Sequence, residues 1–89
     1  MRLVDIGGNS YVSAGRVVAV LSPDSLPVRR MVQDAKNAGR VIDVSCGKKT
    51  RAVIITDSDH VILSAIKAEA ITNRLASDVE SDDDEDEEE

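Results

Sequence analysis

"SPDSLPVRRMVQDAKNAG", residues 22–39, is where the chain changes its period, and that change decides the fold class. Asp24 or Ser25 offers an N-cap oxygen, Pro27 falls in the first turn and Gly39 supplies the stop, so start and stop signals come in helical order. Between them Val28, Met31, Val32, Ala35 and Ala38 recur at helical spacing and predict one apolar face. On either side the pattern is that of strands. LVDI (3–6) reads as a strand, and GGNS (7–10) as the turn into YVS (11–13), because paired glycines with Asn supply the positive φ of a tight hairpin. RVVAVLS (16–22) is β-branched and apolar enough for a buried strand. VIDVS (41–45), RAVIIT (51–56) and HVILSAI (60–66) read as three more, joined by the CGKK and DSD turns. A short helix over about 67–76 carries Ala68, Ile71 and Leu75 on one side. The expectation is an α+β domain: a small, mainly antiparallel sheet with one long helix and one short C-terminal helix.

Charge divides the chain in two. Its formal net charge is −6, from 17 Asp+Glu against 11 Lys+Arg. Ten of the acids lie in the last twelve residues, so residues 1–77 keep seven acids against eleven bases and are basic. SDVESDDDEDEEE (77–89) has no apolar period and repels itself, which predicts a disordered, solvated acidic tail after a folded body over residues 1–76. A basic body under an acidic whole-chain balance points to nucleic-acid or membrane partners.

A body of this size buries little core, and domains below roughly 70–80 residues usually need a staple. The single Cys46 permits no internal disulfide and, with His60 alone, no zinc set; a free, buried cysteine suits a reducing cytosol. The remaining staple is self-association. It is also suggested by the last two strands, which are apolar on both faces, while one long helix covers only one face of their sheet. No positively charged leader precedes an apolar core, and no apolar run approaches the roughly 20 residues that span a bilayer, so a soluble cytoplasmic chain is expected.

Chemistry concentrates at CGKKTRAVIIT, residues 46–56. Lys48, Lys49 and Arg51 read either as gatekeepers that keep a sticky strand from edge pairing, or as a phosphate-binding turn. In the second reading Gly47 lets the backbone approach, the lysines bring mobile charge and Thr50 adds a hydroxyl donor. On the helix, Arg29, Gln33, Lys36 and Arg40 form a polar, largely basic stripe, with Arg30 and Asn37 on an adjoining row; this is an ordinary solvated face or a second phosphate surface. Tyr11 is the sole aromatic, so the stacking platforms of single-strand binders are absent and double-stranded DNA is the better partner. Catalysis finds no assembled nucleophile, base and pocket, and nothing calls for a cofactor or a small-molecule substrate. His60 beside Asp57 and Asp59 reads as a turn residue; Cys46 reads as a packing residue.

SAGR (13–16), SPDSLPVRRMVQDA (22–35), GRVID (39–43), GKKTRAV (47–53) and DSDHVILSA (57–65) together resemble the bacterial extracellular matrix regulator RemA family, over about residues 3–75. The resemblance implies a small DNA-binding protein similar in fold to LytTR-type domains, whose subunits close into a ring. Such rings bind repeated elements upstream of biofilm-matrix and osmoprotection genes and bend or wrap the DNA. By motif it carries DNA contact to Lys48 and Lys49, and a role in DNA binding or assembly to Arg16. The family commonly has arginines in the GKKTR turn, and lysine keeps the charge but lacks the bidentate fork, which relaxes sequence preference. The acidic tail is foreign to the family pattern and reads either as a competitor of DNA or as a solubilising appendage. The DNA-binding residues expected are therefore Lys48, Lys49 and Arg51, with Arg16, Arg29 and Arg30. The alternative is an oligomeric scaffold whose basic patches hold acidic protein segments.

Overall fold

The computed structural model describes residues 2–77, and the expected acidic tail lies outside the described residues except for Ser77. In chain order the elements are β1 (Leu3–Gly7), β2 (Ser10–Ser13), β3 (Val17–Leu21), α1 (Leu26–Asn37), β4 (Val41–Asp43), β5 (Ala52–Thr56), β6 (Val61–Ser64) and α2 (Ala68–Ala76). A single 3-10 turn, Ala14–Arg16, leads into β3. The fold is α+β, as the change of period predicts.

Two sheets form. β1 and β2 make an antiparallel hairpin, and the other four strands lie in the order β3-β5-β6-β4. β3 and β5, and β5 and β6, pair antiparallel, whereas β4 runs parallel to β6 with Val41 opposite Val61 and Asp43 opposite Leu63. The parallel pair follows from α1. A strand that leaves β3 at one edge and returns at the other edge in the same direction needs a crossover, and α1 supplies it.

Local chemistry sets the ends of α1. Ser25 is the N-cap, and its hydroxyl accepts from the Val28 amide at 3.4 Å. Gly39 follows the C-cap at φ +73°, the left-handed conformation glycine adopts without a Cβ penalty. Val28 and Ala35 are buried against Val53, Val61 and Leu63, with Val32 packed at the margin. Met31 stays 39% exposed, and Ala38 is exposed because the helix has already ended there.

The sheet's other face corrects one expectation. β5 and β6 are indeed apolar on both faces, yet neither face lacks cover. Ala52, Ile54 and Ile62 pack with Val4, Ile6 and Val12 of the hairpin and with Ile71 of α2. The hairpin, which forms a separate small sheet, and α2 thus do what the sequence argument assigned to another subunit. Apolar surface is left instead at the edges: Val18 is 67% and Ile42 45% exposed. β3 is correspondingly a half-exposed edge strand and not the buried strand its β-branched sequence suggested, because strand propensity reports the pleat and not the number of neighbours.

One buried hydroxyl ties the layers together. Ser64, fully buried, donates to the Ile6 carbonyl at 2.7 Å and accepts from the Ile66 amide at 3.0 Å. At the far end of α2, Arg2 donates to the carbonyls of Arg74 and Leu75 at 3.0 and 2.6 Å, while Arg74 donates to the Asp5 carbonyl at 2.7 Å. The two bonds from Arg2 satisfy acceptors at the end of α2 that have no partner within the helix, and the bond from Arg74 ties the helix to β1. No helix among the described residues is long and apolar enough to cross a membrane.

Candidate functional site

Antiparallel pairing brings most of the candidate residues to one end of the four-stranded sheet. β5 starts where β6 ends, since Ala52 lies opposite Ser64, and the Arg51 amide donates to the Ser64 carbonyl at 2.8 Å. The residues before Ala52 and after Ser64 therefore share one end. Lys49, Thr50, Arg51 and Lys67 line a shallow hollow there with Pro23 and Asp24. Lys48 is exposed in the same turn. Lys67 is a further candidate that sequence reasoning did not single out. Its neighbours Ile66 and Ala68 give no hint of a site, and only the strand register makes it a neighbour of Arg51.

The turn that carries Lys48 is held by its own backbone chemistry. Asp43 Oδ1 accepts both the amide and the hydroxyl of Ser45, at 2.9 and 2.6 Å. The Ser45 carbonyl in turn accepts the Lys48 amide at 3.1 Å. The Ser45 hydroxyl and then its amide hold the Asp43 carboxyl below its ordinary value, against a smaller opposing effect of burial, and the charge of Lys36 adds least. Cys46 and Gly47 take the left-handed conformation, at φ +57° and +81°. That conformation turns Cys46 outward, so it is exposed and not the buried packing residue expected. The hairpin tip braces the turn: a Cβ on Gly8 would stand 2.4 Å from the Val44 carbonyl oxygen and 3.1 Å from Cys46 Sγ.

Both α-helices begin at this end. α1 starts beside Pro23 and Asp24, and α2 starts from Lys67, its N-cap. Each helix N-terminus carries roughly half a positive charge, which adds to the side-chain cations. Beside the hollow, and sharing Pro23 and Thr50 with it, runs a groove floored by Val28, Val53 and Leu63 and rimmed by Arg29, Gln33 and Lys36. Arg29 is thus adjacent to the lysine turn. Arg30 is exposed on α1 but lines neither hollow nor groove.

Two expected members stand elsewhere. Arg40 leaves the basic stripe because the helix stops at Asn37; its Nε donates to the Asp59 carbonyl at 3.0 Å. Arg16 sits at the opposite end of β5 from Lys48 and Lys49. Its carbonyl accepts the Asp57 amide at 2.9 Å and its guanidinium pairs with the Asp57 carboxylate at 3.6 Å. Among the described residues this is the one ion pair, so no cation of the basic end has a carboxylate partner. His60 is a turn residue as expected, with Nδ1 2.8 Å from the Ser58 hydroxyl.

The arrangement can do one thing well. Flexible ammonium groups, a guanidinium, a threonine hydroxyl and helix N-termini gather at one exposed end, a set of charges and donors whose chemistry suits an anionic ligand.

The sequence also matches known proteins. The profile of the RemA-like family, described as "Extracellular matrix regulatory protein A-like", matches residues 3–75. A Clostridium botulinum protein (strain Hall) is 52% identical over 83 residues, which is 93% of this chain and 91% of that protein. One from Acetivibrio thermocellus is 51% identical over 89 residues, covering 96% of each chain. A third, from Geobacillus thermodenitrificans, is 51% identical over 75 residues, covering 84% of this chain and 86% of its own. All three bear the name "Putative regulatory protein".

Proposed function

Because this chain belongs to the RemA-like family, we propose that it is a regulator acting by binding rather than catalysis, and that its target is double-stranded DNA. The observation that carries this reading is the basic end itself. Lys48, Lys49, Arg51 and Lys67 gather at one end of the sheet, and none has a carboxylate partner among the described residues. Cations left this way are ready to replace the counterions condensed on a duplex, and the release of those ions drives association. Arg29 extends the surface along α1, and Arg30 adds charge on the same helix. Duplex is favoured over single strands because Tyr11 is the sole aromatic and stacking needs several.

In this reading copies of the chain close into a ring that repeats the basic end and multiplies its contacts with DNA. Support for self-association comes from the outer strands. β3 and β4 each have one unpaired edge and expose Val18 and Ile42. Arg16, paired at the opposite end, fits a role in holding subunits together better than one in gripping phosphates. The words of the family description, extracellular matrix regulatory, fit control of matrix genes; control of biofilm and osmoprotection genes from the cytoplasm, at the nucleoid, completes the reading on the family resemblance alone.

The test is fluorescence anisotropy of labelled duplex with the full chain and with its Lys48→Ala/Lys49→Ala variant, across a salt series, with single-stranded DNA as control. Duplex-preferring binding that weakens steeply with salt and collapses in the variant is expected. Absence of duplex binding at any salt overturns the reading and leaves a scaffold for acidic proteins.

A further inference from the structure

The cations of the basic end have a polyanion available within the same chain. We propose that the acidic segment, residues 78–89, folds back onto the basic end of its own subunit and must be displaced before DNA binds. This inference rests on reading the basic end as a polyanion site, and adds a built-in competitor to it.

Charge complementarity is the first argument. Every residue from 78 to 89 except Val79 and Ser81 is an acid. The second is which cations remain to receive them. Arg16 is paired with Asp57, Arg40 donates to the Asp59 carbonyl, and Arg2 and Arg74 bond the carbonyls that join α2 to β1. Among the described residues, the lysines and arginines whose side chains make no such bond are the four of the basic end and Arg29, Arg30 and Lys36 of α1. The receiving surface is therefore selective, even though the body is basic throughout.

Reach is the third argument. α2 begins at the basic end and carries the chain away over its nine residues, about 14 Å at the helical rise. Arg2 fixes the far end of α2 by its bonds to the Arg74 and Leu75 carbonyls. Twelve residues extend up to about 40 Å, which returns them to Lys67 and Lys49 with chain to spare. Tethering at such short range keeps the carboxylates at an effective concentration on the order of millimolar.

The consequence differs from a simple loss of affinity. When DNA displaces the segment, the freed carboxylates take up cations while the duplex releases them, so net counterion release is smaller. The full chain binds DNA more weakly at low salt, and with a shallower salt dependence, than a chain whose segment is neutral.

The test keeps the full chain. A nitroxide is attached to the lone, exposed Cys46, which stands in the basic turn, and the amide signals of residues 78–89 are read by NMR. Signal loss at low salt, recovered at high salt, is expected. A companion variant with every Asp→Asn and Glu→Gln in 78–89 should shift the amides of Lys48, Lys49, Arg51 and Lys67 and bind duplex several-fold more tightly at low salt. Unbleached signals, with unmoved amides at the basic end, overturn the inference even if the chain binds DNA. Bleaching without DNA binding by either form supports the contact and rejects the DNA reading. Bleaching seen only between differently labelled chains overturns the same-chain assignment.

Discussion

One carboxylate oxygen of Asp43 accepts both the amide and the hydroxyl of Ser45, at 2.9 and 2.6 Å, two residues before the turn that carries Lys48 and Lys49. The pair fixes the direction in which the chain leaves β4, and so where the lysines are presented.

Asp43→Ala should leave the strands intact but free the turn. The expected result is faster hydrogen exchange at the Lys48 amide and a several-fold loss of duplex affinity. Acid gives a second readout. The Asp43 carboxyl is held below its ordinary value of 3.8 in the folded chain. Its contribution to stability is therefore complete above that value and disappears as the pH falls through the lower folded one. Urea denaturation should separate native and Asp43→Asn chains at about pH 6, and the gap should close as the pH falls below 3.8.

Ser64→Ala removes the donor to the Ile6 carbonyl and the acceptor of the Ile66 amide at a fully buried position. Two backbone groups lose their partner away from water, which costs roughly 1–3 kcal/mol. A fall of that size in urea denaturation, with the slope unchanged, is the expected result.

Gly8 and Gly15 make a matched pair. A Cβ at Gly8 meets the Val44 carbonyl oxygen at 2.4 Å on a backbone of φ +60°, whereas at Gly15 nothing lies within 4 Å. Gly8→Ala should destabilise by roughly 1–3 kcal/mol and loosen the lysine turn, while Gly15→Ala is close to neutral. Thermal melts of the two variants side by side check this.

Lys67→Ala tests whether the residue supplied by strand register belongs to the interface. Loss of one phosphate contact should lower the magnitude of the salt slope of log K by about 0.9 on B-DNA, with an unchanged far-ultraviolet circular dichroism spectrum. An unchanged slope would remove Lys67 from the interface.

What was legible in the sequence was what is local. The cap at Ser25, the stop at Gly39 and the helical spacing between them lie within one short stretch, and α1 followed. β5 and β6 were legible as strands because Val and Ile dominate them. What covers their second face was not, since Val4, Val12 and Ile71 reach it from the two ends of the body and nothing near residues 52–64 records that meeting. Composition also could not tell edge from centre, hence the misplaced burial of β3. The lysine turn was visible from its glycine and its charges. Lys67 was not, because its membership depends on Ala52 lying opposite Ser64. Cys46 was misjudged because free cysteine is usually buried, whereas a left-handed backbone turns this one outward.

The clasp between Arg2 and the last turn of α2 also bears on the order in which the protein can form. The hairpin is synthesised before the rest of the body, yet the side chain that completes its core, Ile71, is among the last of the body. A nascent chain emerging from the ribosome therefore holds Val4, Ile6 and Val12 without their final partner until nearly the whole body has been made. Folding of this domain is therefore completed only once α2 has left the ribosome, and until then the waiting hairpin keeps an apolar face open to chaperones.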